Sequence, residues 1–566
     1  MTHDESGAKG RAHDKQRGGF YTPPEVCDFV ARWALACDPK TVLEPSCGEG
    51  RFLTALARQA EKTGVELPVV TAIERDEGEA CKARSSALAA GMAEAGAEIT
   101  TAGFFKHYLY RIDGQKTFDA VIGNPPYIRY QRFTGEESGY AAALLKAHGI
   151  GISRLSNAWM AFLALGADAV SAKGRLGMVL PAELLYTPGS ERLRALLAGK
   201  FKRIIAITFK KPIFPDLLQD TVLLLADRSP ASGKGLSILN LESTAELLID
   251  THVAASEAAC ERHNAQALSQ NWLLASLSRE QRAILDRLNR DPRIAQATEL
   301  FEVNTGITTG ENAFFILNRE RAARAKLHAR DLKPIVSKAA HVSGLVFAKS
   351  DYKELLDSGA RVILYDPECT KQGVPLRKSA EQYIWDSEEN GLGLTRKCQD
   401  RQDGDMWHIP PHSWKPQALL GRHIHKTPAI VLNPAGVQAT DAFNKIRFTK
   451  GVNGALVAAA FLNSYTLALA EMKGTVYGGG VLSIYPGTVR RLRIPMPGAE
   501  HLDLRRLDEL FRAGRFEEIL NETDEALLMR GLGLSGTEVT QIRSVWTEFR
   551  KRRLLKNKKG RARRQG

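Results

Sequence analysis

The sequence predicts an α/β fold: a mostly parallel sheet covered by helices on both faces, followed by a mixed α+β region and a helical, basic C-terminus. Two observations carry that prediction. Short apolar runs alternate with amphipathic stretches from Pro23 to Asp227, the pattern of consecutive strand–helix units. From residue 301 the pattern changes to short strands punctuated by glycine and aromatic residues, and from residue 501 it turns helical.

The elements follow in order. Pro23 and Pro24 open a helix over 24–35, since proline is pre-organised for a first helical turn. Strands are expected at 41–44, 69–74, 97–101, 118–123, 174–180, 201–208 and 220–226, with helices between them, including 77–94 and 159–172. Ser229–Gly235 is a turn-rich break. Residues 236–300 read as a strand followed by connecting helices, the clearest at 279–289. These boundaries give a mobile arm (1–18), an α/β domain (19–235), a connecting segment (236–300), an α+β domain (301–500) and a helical C-terminal region with a basic tail (501–566).

The fourth strand runs into Asn124-Pro125-Pro126-Tyr127. Each proline fixes its own φ and removes an N–H donor. The Pro125 carbonyl is then a rigid acceptor beside the Asn124 amide oxygen, and two acceptors can hold both hydrogens of an exocyclic amino group. Tyr127 offers a face to a planar group. With a methyl donor nearby, this is a site for methylating a planar amine or amide nitrogen. Read alone, the tetrapeptide is equally a strand-ending turn.

A donor site is legible upstream. Thr41-Val42-Leu43-Glu44-Pro45-Ser46-Cys47-Gly48-Glu49-Gly50 reads as strand, glycine turn, helix. Gly48 and Gly50 let the backbone approach a ligand. Glu44 ends the first strand, where an acceptor for an amino group belongs. Glu74 ends the second, where an acid suits ribose hydroxyls. Glu49 in the turn disfavours a phosphate, so an adenosyl ligand without phosphates fits: S-adenosylmethionine. Gly48, Glu74 and Asn124 all follow strand ends, so they converge on one crevice.

With those motifs in this order, the chain resembles the gamma group of DNA adenine-N6 methyltransferases, the methylases of type II restriction-modification systems. The resemblance covers residues 18–230 and, more loosely, 300–497. It implies a Rossmann-like, S-adenosylmethionine-dependent class I domain and a C-terminal target-recognition domain. It places Thr22, within Gly19-Phe20-Tyr21-Thr22-Pro23-Pro24, against the methionine end of the cofactor. Glu44, Pro45, Ser46, Gly48 and Gly50 match the glycine motif, Glu74 the ribose-binding acid, and Asn124, Pro125, Pro126 and Tyr127 the catalytic motif. Phe162 falls where the family sets an aromatic against the cofactor adenine, and Phe214 where it sets one beside the target base. One position departs: the acid usual after the third strand is absent from Thr101-Ala102-Gly103-Phe104-Phe105, which leaves Phe104 or Phe105 to pack on the adenine and a backbone group to replace the acid. Gly306–Ile316 and Tyr477–Pro486 resemble the two ends of a recognition domain, and Arg490, Arg491 and Arg493 suit phosphate or guanine contacts.

Composition agrees with that substrate. The 566-residue chain carries a net charge of +14, which fits a polyanion. The tail from Arg550 to Arg564 has no acid and suits non-specific phosphate binding. The seven cysteines are scattered without a C-x-x-C, which argues against a zinc ribbon or a disulfide framework. The histidines His408, His412, His423 and His425 lack cysteine or acid at ligand spacing, so no metal is expected. No apolar run has the length of a membrane span, and Met1–Gly18 lacks the apolar core of a secretory signal. The expected location is the bacterial cytoplasm, at the nucleoid.

The implied reaction is methyl transfer to the N6 amino group of an adenine flipped out of double-stranded DNA. Asn-Pro-Pro-Tyr also serves RNA bases and protein glutamine. Those readings do not call for the large region 301–497 or the basic tail. About 20 residues precede the first motif, and no convincing Pro-Asp…(Asp/Glu)-x-Lys site follows. The expectation is therefore a monomeric methyltransferase partnered by a separate restriction endonuclease.

Overall fold

The computed structural model describes residues 21–92, 96–128, 135–151, 157–214, 220–231, 233–367, 375–391, 407–411, 413–477 and 480–555. The expected N-terminal arm, Gly19, Phe20, Pro215, Asp216, His412, two glycines of the 478–480 loop and the tail beyond residue 555 lie outside these. The chain divides into two compact units, one up to Ser278 and one from Arg279.

The first unit is built on an eight-stranded sheet. Its strands are β1 (Thr41–Glu44), β2 (Val69–Glu74), β3 (Ala97–Thr101), β4 (Phe118–Gly123), β5 (Val170–Pro181), β6 (Arg203–Phe209), β7 (Thr221–Asp227) and β8 (Gly235–Leu241). Their order is β3-β2-β1-β4-β5-β7-β6-β8. β7 alone runs against its neighbours. The chain leaves β1 toward β2 on one side and returns to β4 on the other, so the strand order reverses between β1 and β4. A crevice opens at such a switch point, at the C-terminal strand ends.

Two hydrophobic layers sandwich the sheet. On one face α1 (Pro24–Leu35), α2 (Arg51–Thr63) and α3 (Glu77–Ala89) bury Val30, Leu56 and Ala83 against Val42, Val70 and Ile122. On the other, α4 (Phe104–Arg111), α5 (Glu136–Ala147) and α6 (Trp159–Ala169) bury Phe105, Leu145 and Leu163 against Leu43 and Val121. Adjacent residues such as Val121 and Ile122 serve opposite layers, the alternation a strand covered on both faces requires. Pro24 starts α1, and the Asp76 carboxylate caps α3 by accepting the Glu79 N–H at 3.1 Å.

Two expected boundaries move. β5 begins at Val170, so α6 ends at Ala169 rather than at residue 172. Gly235–Leu241 is not part of a connection: it pairs in parallel with β6 and extends the sheet. Arg279–Arg290, read as a connecting helix, opens the second unit.

The second unit is α+β. Its strands are β9 (Ile294–Gln296), β10 (Phe301–Thr305), β11 (Ile316–Leu317), β12 (Leu332–Val336), β13 (Ile363–Tyr365), β14 (Ala418–Gly421), β15 (His423–Ile424), β16 (Ile430–Leu432), β17 (Gln438–Ala439), β18 (Phe443–Phe448), β19 (Thr475–Tyr477), β20 (Val481–Ser483) and β21 (Arg493–Pro495). They form small sheets, the largest ordered β10-β18-β14-β16 and β11-β13-β12-β17. An aromatic core centres on Phe314, stacked on Tyr383 with centroids 4.9 Å apart and tilted against Trp407 at 4.5 Å. Among the described residues no single helix is long and apolar enough to cross a membrane; the bent apolar pair Gly454–Ala460 and Ser464–Lys473 is buried.

The C-terminal helix Gly536–Leu555 locks this unit. Arg553 is buried and forms a two-pronged pair with Glu471, Nε to Oε2 at 2.9 Å and Nη2 to Oε1 at 2.7 Å. Arg553 also donates to the carbonyls of His425 and Gly480. Arg550 lies over the Trp546 ring, 5.2 Å from its centroid. The first arginines of the expected phosphate-binding tail are therefore structural ones.

Candidate active site

The crevice at the C-terminal ends of β1, β2 and β4 is built by a hydrogen-bonded frame. The turn after β1 is held open by two glycines with positive φ, Gly48 at +51° and Gly50 at +85°. A Cβ on Gly50 would stand 3.1 Å from the Ala83 backbone, so α2 and α3 pack there only around glycine. A Cβ on Gly48 would meet nothing within 4 Å, so that glycine borders open space.

Glu74 ties this turn to β2. Its Oε2 accepts the Gly48 N–H at 3.0 Å and its Oε1 the Asp76 N–H at 2.9 Å. An ionised carboxylate has about four acceptor sites, so each oxygen keeps capacity for a hydroxyl. Glu44 is treated differently. It is 1% exposed, and its buried Oε2 has no hydrogen-bond partner. Burial, reinforced by the charge of Glu74, raises its carboxyl well above the ordinary range. An isolated buried acceptor is costly, and a donor or cation arriving there would offset that cost.

Asn124 is fixed from the side. Its Nδ2 donates to Thr22 Oγ1 at 3.2 Å, which leaves Oδ1 as the acceptor end of the amide. The backbone carbonyl of Asn124 accepts the Ser46 hydroxyl at 3.4 Å. Thr22 is held in turn by Arg51, whose Nη1 donates to its carbonyl at 3.2 Å. Sequence reasoning gave Thr22 to the cofactor; the frame also makes it the residue that orients Asn124. Pro125 is buried. Tyr127 donates its hydroxyl to the Val179 carbonyl at 3.0 Å, which pins the ring beside β5. Burial raises that phenol well above its usual range, so it stays protonated.

The remaining residues are placed less decisively. Phe104 and Phe162 stack on each other, centroids 5.0 Å apart at 15°, inside the α4–α6 layer. They belong to the core. Phe214 is buried in the opposite layer with Ile213 and Phe209. Cys47 is buried too; burial, with Glu44 and Glu74 adding to it, raises its thiol and holds it protonated, so it is no nucleophile. In the second unit, Arg493 spends its terminal nitrogens on the carbonyls of Asn289, Asp291 and Ile294. It clamps a turn and is not available to phosphate, contrary to expectation. Arg490 donates to the Val303 carbonyl at 2.9 Å and Asn304 Oδ1 at 3.3 Å, and Arg491 to the Gly487 carbonyl at 3.1 Å.

One residue escaped sequence reasoning. The position after β3 lacks an acid, yet a carboxylate stands there. Glu137, from the first turn of α5, accepts the N–H groups of Phe105 at 3.0 Å and Lys106 at 3.2 Å. A Cβ built on Gly103 would lie 2.2 Å from the Glu137 carboxyl carbon. The carboxylate thus fills the space a side chain at 103 would take. The glycine itself was the one signal available.

This geometry has relatives. Residues 8–225 match the model of the N-6 DNA Methylase family, and residues 269–528 match that of the type II methyltransferase M.Eco57I C-terminal domain. Residues 8–225 therefore form an N-6 DNA methylase domain. Among curated members of type II systems, M.AccI of Acinetobacter calcoaceticus is 24% identical over 63% of this chain and 63% of its own length. M.XamI of Xanthomonas campestris pv. amaranthicola is 22% identical over 84% of this chain and 85% of its own length. In structure this methylase is similar to the type IIL restriction-modification enzyme MmeI in complex with DNA, with a TM-score of 0.58, 11% identity, and coverage of 92% of this chain and 74% of that one. The eight-stranded sheet with its lone antiparallel strand is the class I methyltransferase domain of this methylase, and the α+β unit with its helical C-terminus follows it.

Proposed function

We propose that this methylase transfers a methyl group from S-adenosylmethionine to the N6 amino group of an adenine flipped from duplex DNA, as the modification component of a restriction-modification system. The observation that carries the reading is the Asn124 amide, whose nitrogen donates to Thr22 and whose oxygen is thereby the acceptor end.

The residues present fit the cofactor. Glu44 offers a buried acceptor with nothing bonded to it, suited to the ammonium of the methionine end. Glu74, already fixed by two backbone N–H groups, suits the ribose hydroxyls. Glu137, at the head of α4, replaces the acid missing after β3 and suits the adenine amino group. Phe104 and Phe162 wall that end. Gly48 leaves room for the ligand to lie against the turn. The cofactor supplies a methyl group on a positively charged sulfur.

The chain's own groups do the rest by orientation and charge. Asn124 Oδ1 and the Pro125 carbonyl accept the two amino hydrogens, which raises electron density on the nitrogen and aims its lone pair. On accepting the methyl group the amino nitrogen would give up one proton to water. Tyr127 stacks on the base; such stacking contributes about 1–3 kcal/mol. Pro126 keeps the turn rigid. The reading includes a monomer acting beside a separate cognate endonuclease.

The test is transfer of labelled methyl to duplex DNA, with nucleoside analysis of the product, for the wild type and Asn124→Ala. The expected result is N6-methyladenine from the wild type, and loss of transfer with retained DNA binding in the variant. Full activity of Asn124→Ala would overturn the mechanism. Transfer to RNA or to protein glutamine in place of DNA would overturn the substrate.

A further inference from the structure

In the second unit, β10 and β18 pair Asn304 with Lys445 and Glu302 with Arg447. Directly paired residues share a face, so these four side chains project together. Trp414 lies over them, its ring centroid 4.3 Å from Lys445 Nζ and 4.5 Å from Arg447 Cζ. A solvent-open cavity of about 440 Å³ sits here, lined by Asn304, Thr305, Ser413, Trp414 and Lys445.

Lys445 is the unexpected member. It occupies an inner strand of its sheet and is 2% exposed. Its ammonium meets only neutral acceptors among the described residues, the Ser413 hydroxyl and, at 3.3 Å, the Trp414 carbonyl. Glu302, the acid on this face, is engaged elsewhere, accepting the Asn304 amide at 2.9 Å and facing Arg447 at 3.8 Å. Burial, with Arg447 adding to it, lowers the Lys445 ammonium to about 8. Arg490 reaches Asn304 from beside the pocket. Three cations thus surround one acid and one indole. A lysine that served only to hold the Ser413–Trp414 segment against the sheet would be an expensive choice, since an apolar side chain packs there without desolvating a charge. An electron-rich acceptor entering the cavity would compensate that charge.

We propose that this cavity reads the DNA duplex. Trp414 forms its wall, and Lys445 and Asn304 meet an acceptor edge, either guanine O6 and N7 or a backbone phosphate. Both sources present the same chemistry to the lysine. The inference rests on the DNA reading above, and it places a recognition contact in the second unit.

The experiment uses the full chain, with Lys445→Met, Asn304→Ala and Arg447→Gln, on a duplex library with single-molecule mapping of methylated positions. The wild type is mapped first: failure to methylate DNA would overturn the function itself, not the pocket alone. With an active wild type, Lys445→Met is expected to lose roughly ten- to hundredfold in rate on the preferred site. A guanine contact relaxes selectivity at one position, whereas a phosphate contact weakens all sites alike and lowers the salt dependence by about one charge. Binding of S-adenosylmethionine stays unchanged in either case. Should Lys445→Met fail to fold, the more exposed Asn304→Ala and Arg447→Gln decide the matter. Unaltered selectivity, affinity and salt dependence in these variants would overturn the proposal.

Discussion

Glu44 ends β1 in the first unit with one carboxylate oxygen buried and unbonded, whereas Glu471 in the second unit has both oxygens on Arg553. Both residues are almost inaccessible to solvent. Burial destabilises an ionised carboxylate in either place. In the second unit the chain supplies the compensating cation itself: the pair fastens the C-terminal helix to the helix Ser464–Lys473, and Arg553 also donates to the carbonyls of His425 and Gly480. In the first none is supplied among the described residues, and the carboxyl is raised well above its ordinary range, by burial first and the charge of Glu74 second. A closed polar group holds a fold together. An open one costs stability in the free protein, and is retained where a ligand completes it.

That contrast can be broken most severely at Arg553. Arg553→Met should strand Glu471 in the core and cost about 3–5 kcal/mol, read as a lower urea midpoint. A midpoint close to wild type would mean the pair does not fasten the helix. Replacing both partners, with Glu471→Met added to Arg553→Met, should restore most of that loss, because a well-packed apolar pair avoids the desolvation. If the double variant is no better than the single one, the carbonyl contacts of Arg553 matter more than its charge. A smaller effect is expected at Glu137. Glu137→Ala should weaken S-adenosylmethionine binding by about tenfold, through loss of a carboxylate hydrogen bond to the cofactor, with a cap-sized stability loss of about 1 kcal/mol. Calorimetric titration separates the two: unchanged affinity with lowered stability would leave Glu137 as a helix cap only.

Much of this was legible from sequence, for identifiable reasons. The first four strands are short runs ending in Glu44, Glu74, Thr101 and Gly123, and the structure places them at those bounds. Each is bounded by glycine, proline or charge, so local pattern decides them. The strand β8 is read from the sequence but assigned to a connection and not to the sheet, because a lone apolar run does not say which strand it joins. The β5 boundary moved because the residues after Ala169 are no worse in a strand than in a helix, and pairing with β4 settled them. Among the site residues, Gly48, Glu74 and Asn124 follow strand ends and share one frame. The buried placement of Phe104, Phe162 and Phe214 was not legible, since an aromatic at helical spacing serves core and ligand alike. Arg493 looks like a phosphate binder in sequence because its targets are backbone carbonyls, which leave no sequence mark, and Arg553 because its partner Glu471 lies 82 residues away. Glu137 was hidden for the opposite reason: its signal is an absent side chain at Gly103.

The measurement that tests this account most directly is the melting temperature of wild type and Glu44→Gln, with and without S-adenosylmethionine, from pH 4 to pH 8. The folded-state pKa of Glu44 lies above its unfolded value. Its contribution is therefore fully present below about pH 4.3, the unfolded carboxylate value, and is lost as pH rises through the folded pKa. Glu44→Gln removes that decline, so the ligand-free variant should melt above wild type toward neutral pH. It should also gain much less from the cofactor, whose ammonium loses its charged partner. A variant that melts lower than wild type without ligand, or that is stabilised by the cofactor to the same extent, would contradict the claim that Glu44 is an open acceptor kept for the methyl donor.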